Sequence, residues 1–193
     1  LVILTSPDAS RLTGLVPVLP RYDVAAVAVG PEVGDGATWE AWQAAVQERE
    51  ESIEAFTAGT IRELDGDVRL HVLWPPEGVA GPVVMRIEHS QIAWLLMGGA
   101  TTRIEEALVA AYTKQLQSDV LQLARQGAQT STSVALLQAV SPDLAVVSRG
   151  ERFELSTYIE ARLMEIPLYR TDRHGAIHIV SDGQTYRVRI AER

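Results

Sequence analysis

The stretch 4-LTSPDASRLTGL-15 decides how the rest of the chain is read. The apolar run 1-LVIL-4 reads as a strand, followed by a polar turn. Leu12, Leu15, Val16 and Leu19 then recur at helical spacing, and Pro20 is expected to end that helix. Ser6, Asp8, Ser10 and Arg11 therefore stand at a strand-to-helix junction, grouped as if to hold something.

Outward from this junction, 24-VAAVAV-29 reads as a second buried strand, and 38-TWEAWQAAVQERE-50 as a helix. Thr38 is its expected N-cap, and Trp39, Trp42 and Val46 share its core face. The segment 53-IEAFTAG-59 reads as a strand running into a glycine turn. The stretch 64-LDGD-67 reads as a hairpin turn before the alternating strand 68-VRLHVLW-74. A second hairpin is expected from 82-PVVMRIEH-89 and 91-QIAWLLM-97. The segment 102-TRIEEALVAAYTKQL-116 is a strongly amphipathic helix. A βα alternation follows, with strands at 119–124, 143–148 and 166–171 and helices at 131–140 and 156–164. The segment 175-GAIHIVSDGQTYRVRI-190 closes the chain as a hairpin around Asp182-Gly183. These elements describe an α/β or α+β domain of two mixed sheets with helices outside.

The chain has 193 residues, enough for one domain with a sizeable core. No apolar run approaches the roughly 18 residues of a membrane span, so a soluble domain without membrane insertion is expected. The net charge of −8 works against binding to phosphate backbones. Lys114 is the only lysine, so positive charge is almost entirely arginine. With no cysteine, disulfides and thiolate metal sites are excluded.

Five stretches in order resemble the metallo-β-lactamase fold, specifically the soluble C-terminal domain of ComEC-type DNA-uptake competence proteins. In that family a strand ends in Leu-Thr-His-Pro-(His/Asp)-Ala-Asp-His before a Gly-Gly-Leu helix. Here Leu4, Thr5, Pro7, Ala9, Gly14 and Leu15 keep the pattern. The stretch 58-AGTIRELDGDVRLHVLWPP-76 resembles the one ending in Leu-x-Val-Leu-x-Pro-Pro, and 82-PVVMRIEHSQIAWLLMGG-99 the one ending in Leu-Leu-Thr-Gly-Asp. The stretch 119-DVLQLARQGAQTSTS-133 resembles the strand ending in Pro-His-His-Gly-Ser, and 170-RTDRHGAIHI-179 the Arg-Thr-Asp-x-x-Gly-Ala-Ile motif. The resemblance implies a metallo-β-lactamase-like αββα sandwich over residues 1–193. It also implies a single domain cut from a longer chain, with the family's first strands missing upstream of Leu1.

The same resemblance implies one or two zinc or manganese ions held by imidazoles and carboxylates, and at each motif the ligands are replaced. Ser6, Asp8, Ser10 and Arg11 stand for the first motif's four ligands, and of these only Asp8 is a strong donor. Gly99 stands for the bridging carboxylate, and Arg125 and Gln126 for the paired imidazoles. The region 149-RGERFELS-156 has no histidine where the family has Tyr-Gly-His-Pro. The expectation is a vestigial pocket of Ser6, Asp8, Ser10, Arg11, Gly99, Arg125 and Gln126 at one sheet edge. It carries no metal, no cofactor and no catalytic residue. Asp8 is expected to pair with Arg11 or Arg125, or else Arg11, Arg125 and Gln126 form an anion site.

Other candidates have simpler readings. His71 is a sheet-face residue and His89 an exposed turn residue, while Asp172, His174 and His178 have a spacing that briefly suggests ligands. Ser131, Thr132 and Ser133 are placed to cap a helix, or to bind phosphate at its N-terminus. Trp39 and Trp42 read as core, and 48-EREESIE-54 as a solvated helix end. The expected function is a structural or interaction module of a DNA-uptake protein in a bacterial inner membrane. Its partner would be the channel portion of its own chain. The alternative is a metal-dependent nuclease.

Overall fold

Short apolar segments bounded by glycine and proline become strands here, and the amphipathic segments between them become helices. The computed structural model describes residues 1–48, 53–150 and 155–191. The chain forms two compact units, one of residues 1–60 with 72–83, the other of residues 61–71 with 84–193.

In the first unit, β1 (Val2–Leu4), β2 (Val27–Val29) and β3 (Ile53–Ala55) form a parallel sheet in that order, with Leu4 opposite Val29 and Val29 opposite Ala55. Parallel neighbours need crossover connections, and α1 (Ala9–Leu15) and α2 (Gly36–Gln47) provide them. Leu4, Leu12, Leu19, Val24, Val27, Trp42 and Val46 make one buried core, with Trp39 packed on its edge. Helix α1 stops at Leu15 rather than at Pro20, because Pro17 has no N–H to continue the ladder. Turns carry the chain onward through Val18 N to Leu15 O (2.9 Å) and Arg21 N to Val18 O (3.1 Å). Helix α2 begins two residues before Thr38. Its N-cap is Asp35, in extended conformation, and Gly36 takes a φ of +74° to turn the chain. Of the acidic run 48–54, residues 49–52 lie outside the described residues. The strand that opens the chain is tied down by Val83 N bonding Thr5 O at 2.7 Å.

The second unit holds the larger sheet. Its strands are β4 (Ile61–Glu63), β5 (Val68–Trp74, of which residues to His71 belong to this unit), β6 (Val84–His89) and β7 (Ile92–Leu96). They continue with β8 (Val120–Gln122), β9 (Leu144–Val147) and β10 (Leu168–Arg170). The order is β10-β9-β8-β7-β6-β5-β4. Pairing is parallel from β7 to β10 and antiparallel in the two hairpins. Helices α3 (Thr102–Tyr112), α4 (Val134–Val140) and α5 (Thr157–Arg162) are the crossovers between the parallel strands. A short helix α6 (Thr171–His174) follows β10, too brief for any periodicity to announce it. The antiparallel pair β11 (Ile177–Ser181) and β12 (Tyr186–Ile190) is a sheet of its own.

The architecture is the expected mixed α/β one, with two main sheets and helices. The smaller sheet is parallel throughout, and the expected 102–116 helix is interrupted. Thr113 takes a φ of +29° and its Oγ1 donates to Val109 O (3.0 Å), so the last turn is 3₁₀. The four parallel strands send their carboxyl ends to one edge, where open α/β sheets place their sites. At that edge lie Gly98-Gly99 after β7, Ala124–Gly127 after β8, Arg149 after β9 and α6 after β10.

Candidate functional site

In the first unit the turn after β1 brings Ser6, Asp8 and Arg11 together. Ser6 is buried, with its Oγ 3.4 Å from Asp8 Oδ2 and 3.3 Å from Glu32 Oε2. One hydroxyl proton serves one acceptor at a time, so the two carboxylates share it. Glu32, from the loop after β2, is the member of this group that no motif announced. Asp8 is the N-cap residue of α1 without a side-chain capping bond. Its exposed carboxylate lies 3.8 Å from Arg11 Nε. That expected pairing is present, but a loose ion pair with one member in water contributes little. Ser10 lies within α1.

In the second unit Gly99 and the Arg125–Gln126 turn are adjacent, because β7 and β8 are parallel neighbours. Arg125 N donates to Gly98 O at 3.0 Å. Arg125 (φ +49°), Gln126 (φ +56°) and Gly127 (φ +74°) are three successive left-handed residues. Two of them carry side chains that disfavour this region, at a cost of about 1–3 kcal/mol each. The turn is held from outside, since Arg149 Nη1 donates to Gln126 O at 3.3 Å. A Cβ on Gly127 would lie 2.4 Å from Leu155 Cδ1. Gly127→Ala is therefore expected to lower stability by about 2–3 kcal/mol, from overpacking and an unfavourable φ. Chemical denaturation checks it, and a loss below about 0.5 kcal/mol would mean that the turn can shift freely. Arg125, Gln126, Gln129, Arg149 and Ser156 line a pocket of about 250 Å³ beside this turn.

Beneath the pocket lies an ion network that the motifs did not foretell. Arg170 is buried and donates from Nε to Asp172 Oδ1 (3.1 Å), from Nη2 to Asp172 Oδ2 (2.7 Å) and from Nη1 to Glu160 Oε1 (3.0 Å). Arg149 Nε lies 3.8 Å from the same Asp172 carboxylate. The hydrogen bonds from Arg170 hold Asp172 below the usual carboxylate range, against the opposing effect of burial. Burial, with Arg170 nearby, pulls Arg149 below the usual arginine value, and Asp172 and Glu160 oppose it. The 170-RTD-172 motif is thus a clamp. Its threonine joins β10 to the segment after β9, with Thr171 Oγ1 accepting from Arg149 N (2.9 Å) and donating to Arg149 O (3.0 Å).

The remaining candidates are committed elsewhere. Asp172 serves the arginines, His174 Nδ1 accepts from Arg170 N (2.9 Å), and His178 is exposed on β11. His71 lies on the sheet face 3.3 Å from Glu88, and burial, with Arg86 and Arg69, lowers its pKa. His89 is half-buried rather than exposed, because the β11–β12 turn packs on it at Gly183. Ser133 caps α4 by accepting from Leu136 N (3.2 Å). The phosphate reading of that N-terminus meets a prior occupant. The buried carboxylate of Glu105, from α3, accepts from Thr132 N (2.5 Å) and Ser133 N (2.8 Å).

The resemblance implies zinc or manganese, and the residues at the motif positions do not fit either. Such ions need several imidazole or carboxylate donors converging. Asp8 faces a guanidinium, Gly99 has no donor side chain, and Arg125 adds positive charge. No group of three or more His, Asp or Glu among the described residues could hold a metal ion. Of 149-RGERFELS-156, residues 151–154 lie outside the described residues. No helix among the described residues is long and apolar enough to cross a membrane.

No protein-family model matches the sequence. The chain is 39% identical over 99 residues to competence protein ComA of Neisseria gonorrhoeae, covering 49% of this chain and 14% of that protein. It is 25% identical over 143 residues to ComE operon protein 3 of Bacillus subtilis (strain 168), covering 69% of this chain and 18% of that protein. The chain thus spans less than a fifth of either relative's length. Among solved structures, zinc-bound PqqB from Methylobacterium extorquens has a TM-score of 0.49 at 15% identity, covering 88% of this chain and 67% of that one. A diphosphatase from the PhnP family has a TM-score of 0.42 at 15% identity, covering 75% of this chain and 57% of that one. The two competence relatives agree with the competence part of the resemblance read from the five motifs: over part of its length the chain is similar to competence proteins, and its fold is mixed α/β.

Proposed function

We propose that residues 1–193 work as one non-catalytic domain, a structural and interaction module of a DNA-uptake protein. Its partner is the membrane channel portion of the same protein, and its setting is a bacterial inner membrane. The observation that carries the reading is the chemistry at the motif positions. The turn that would present paired imidazoles presents Arg125 and Gln126, and the carboxylate position beside it is Gly99. A cationic turn braced by Arg149 repels a metal ion rather than binding one.

The test is metal content with nuclease activity. After incubation with zinc or manganese and removal of excess, less than about a tenth of an equivalent per chain is expected. Labelled single-stranded DNA is expected to stay intact in either ion. One or two bound equivalents, lost in Asp8→Ala, together with cleavage, would instead assign the metal-dependent nuclease reading. A second reading, an anion-binding module, is favoured by one observation, that Arg125 and Arg149 line the same pocket. Inorganic phosphate shifting the amide resonances of residues 125–129, with the shift abolished in Arg125→Ala, would support it.

A further inference from the structure

The last hairpin carries charge of the opposite sign to the rest of the chain. Strand alternation turns His178, Val180, Arg187 and Arg189 to one exposed face of β11 and β12. The register sets His178 opposite Arg189 and Val180 opposite Arg187. Among the described residues neither guanidinium has an ion-pair partner. The hairpin's acid, Asp182, is turned back at the tip, where it accepts from Gln184 N (2.9 Å) and Thr185 N (2.7 Å). From Arg170 to Arg193 the chain carries five arginines and three acids, while the whole chain is −8, so residues 1–169 carry −10.

We propose that this face of the β11–β12 ribbon is a docking surface for the phosphate backbone of single-stranded nucleic acid. The proposal rests on the DNA-uptake reading above and adds the surface that meets the polymer. Guanidinium groups match phosphate in bidentate geometry and stack on bases. Residues two apart on a strand lie about 6.6 Å apart, so the two guanidinium groups can each meet a different phosphate of one backbone. Val180, 60% exposed beside His178 and opposite Arg187, offers an apolar contact for a base or sugar. Competing partners fit less well. Polybasic membrane sites gather about 4–8 Lys or Arg, and this ribbon brings two. A second copy of the chain would face the repulsion of two bodies at −8 each.

The experiment is fluorescence anisotropy of a labelled oligothymidylate of about 16 nucleotides, with EDTA present and salt varied from about 50 to 200 mM. Two phosphate contacts predict a log–log salt slope of about −1.4, and Arg187→Ala/Arg189→Ala should abolish that slope. The double variant should also weaken binding roughly twentyfold at about 0.1 M salt, while Arg187→Lys/Arg189→Lys retains most of it. Both side chains are exposed, so circular dichroism should show the variants folded. Absence of binding by the unmodified chain, or equal binding by the double variant, overturns the proposal. So does ribbon-dependent binding to phosphatidylserine vesicles without oligonucleotide binding. Metal uptake with cleavage would sink the non-catalytic reading and leave the ribbon standing, whereas failure of the ribbon leaves the non-catalytic reading untouched.

Discussion

Asp172→Ala is expected to destabilise the fold by about 3–5 kcal/mol, the cost of stranding buried charge. Asp172 is the carboxylate between two arginines whose side chains are 4% and 7% exposed. Without it, Glu160, itself 44% exposed, is the carboxylate seen to pair with Arg170 among the described residues. Arg149 also braces Gln126 O, so the left-handed turn should loosen with the network. At this chain length the loss corresponds to a fall in Tm of roughly 10 °C. Asp172→Asn keeps the volume and one acceptor and should lie between the two.

The same carboxylate makes a pH prediction. Hydrogen bonds from Arg170 hold its folded pKa below the usual aspartate range. Its contribution is therefore complete above the unfolded pKa and is lost as pH falls through the folded one. Stability of the unmodified chain should drop below about pH 4 more steeply than that of Asp172→Asn. Urea unfolding at several pH values checks both. Equal acid slopes, or a loss under about 1 kcal/mol for Asp172→Ala, would mean that the arginines are satisfied without this group.

Glu105→Ala should have an effect of similar size, about 3–5 kcal/mol, since hydrogen bonds to a charged acceptor contribute about 1.5–3 kcal/mol each. Glu105 is fully buried, and both oxygens are occupied by main-chain N–H groups of Thr132 and Ser133. Thr132 is itself buried at a φ of +58°, so its N–H has no route to water once the carboxylate is gone. Arg162 secures the same turn from the other side, donating from Nη1 to Ser131 O (3.2 Å) and Thr132 O (3.0 Å). Glu105→Gln exchanges one acceptor for an amide donor aimed at an N–H, and should cost about half as much. Faster amide exchange at Thr132 and Ser133 is the local signature. Protection unchanged there would show that α3 does not anchor the start of α4.

Much of this was legible in sequence because it is local. Alternation placed hairpin strands, and Gly66 and Gly183 marked the tips of two of the three hairpins. The three-to-four spacing of Trp39, Trp42 and Val46 identified the core face of α2. The ends of elements were less legible. Pro17 rather than Pro20 stops α1, Asp35 rather than Thr38 opens α2, and a positive φ at Thr113 breaks α3. Each depends on backbone geometry that neighbours impose and that residue type only biases.

The sequence by itself determined which donors are absent from the motif positions, because a glycine or an arginine cannot ligate a metal wherever it is placed. It also determined the order of strands and crossovers that brings Gly99 and Arg125 to the ends of adjacent strands. Only the tertiary structure decided what fills the space left behind. Arg149 under the turn, Asp172 joined to Arg149 and Glu105 at the start of α4 are partnerships across 23, 23 and 27 residues of chain. No local pattern carries them, since a buried charge is stabilised by whichever groups the folded sheet brings within a few ångströms of it.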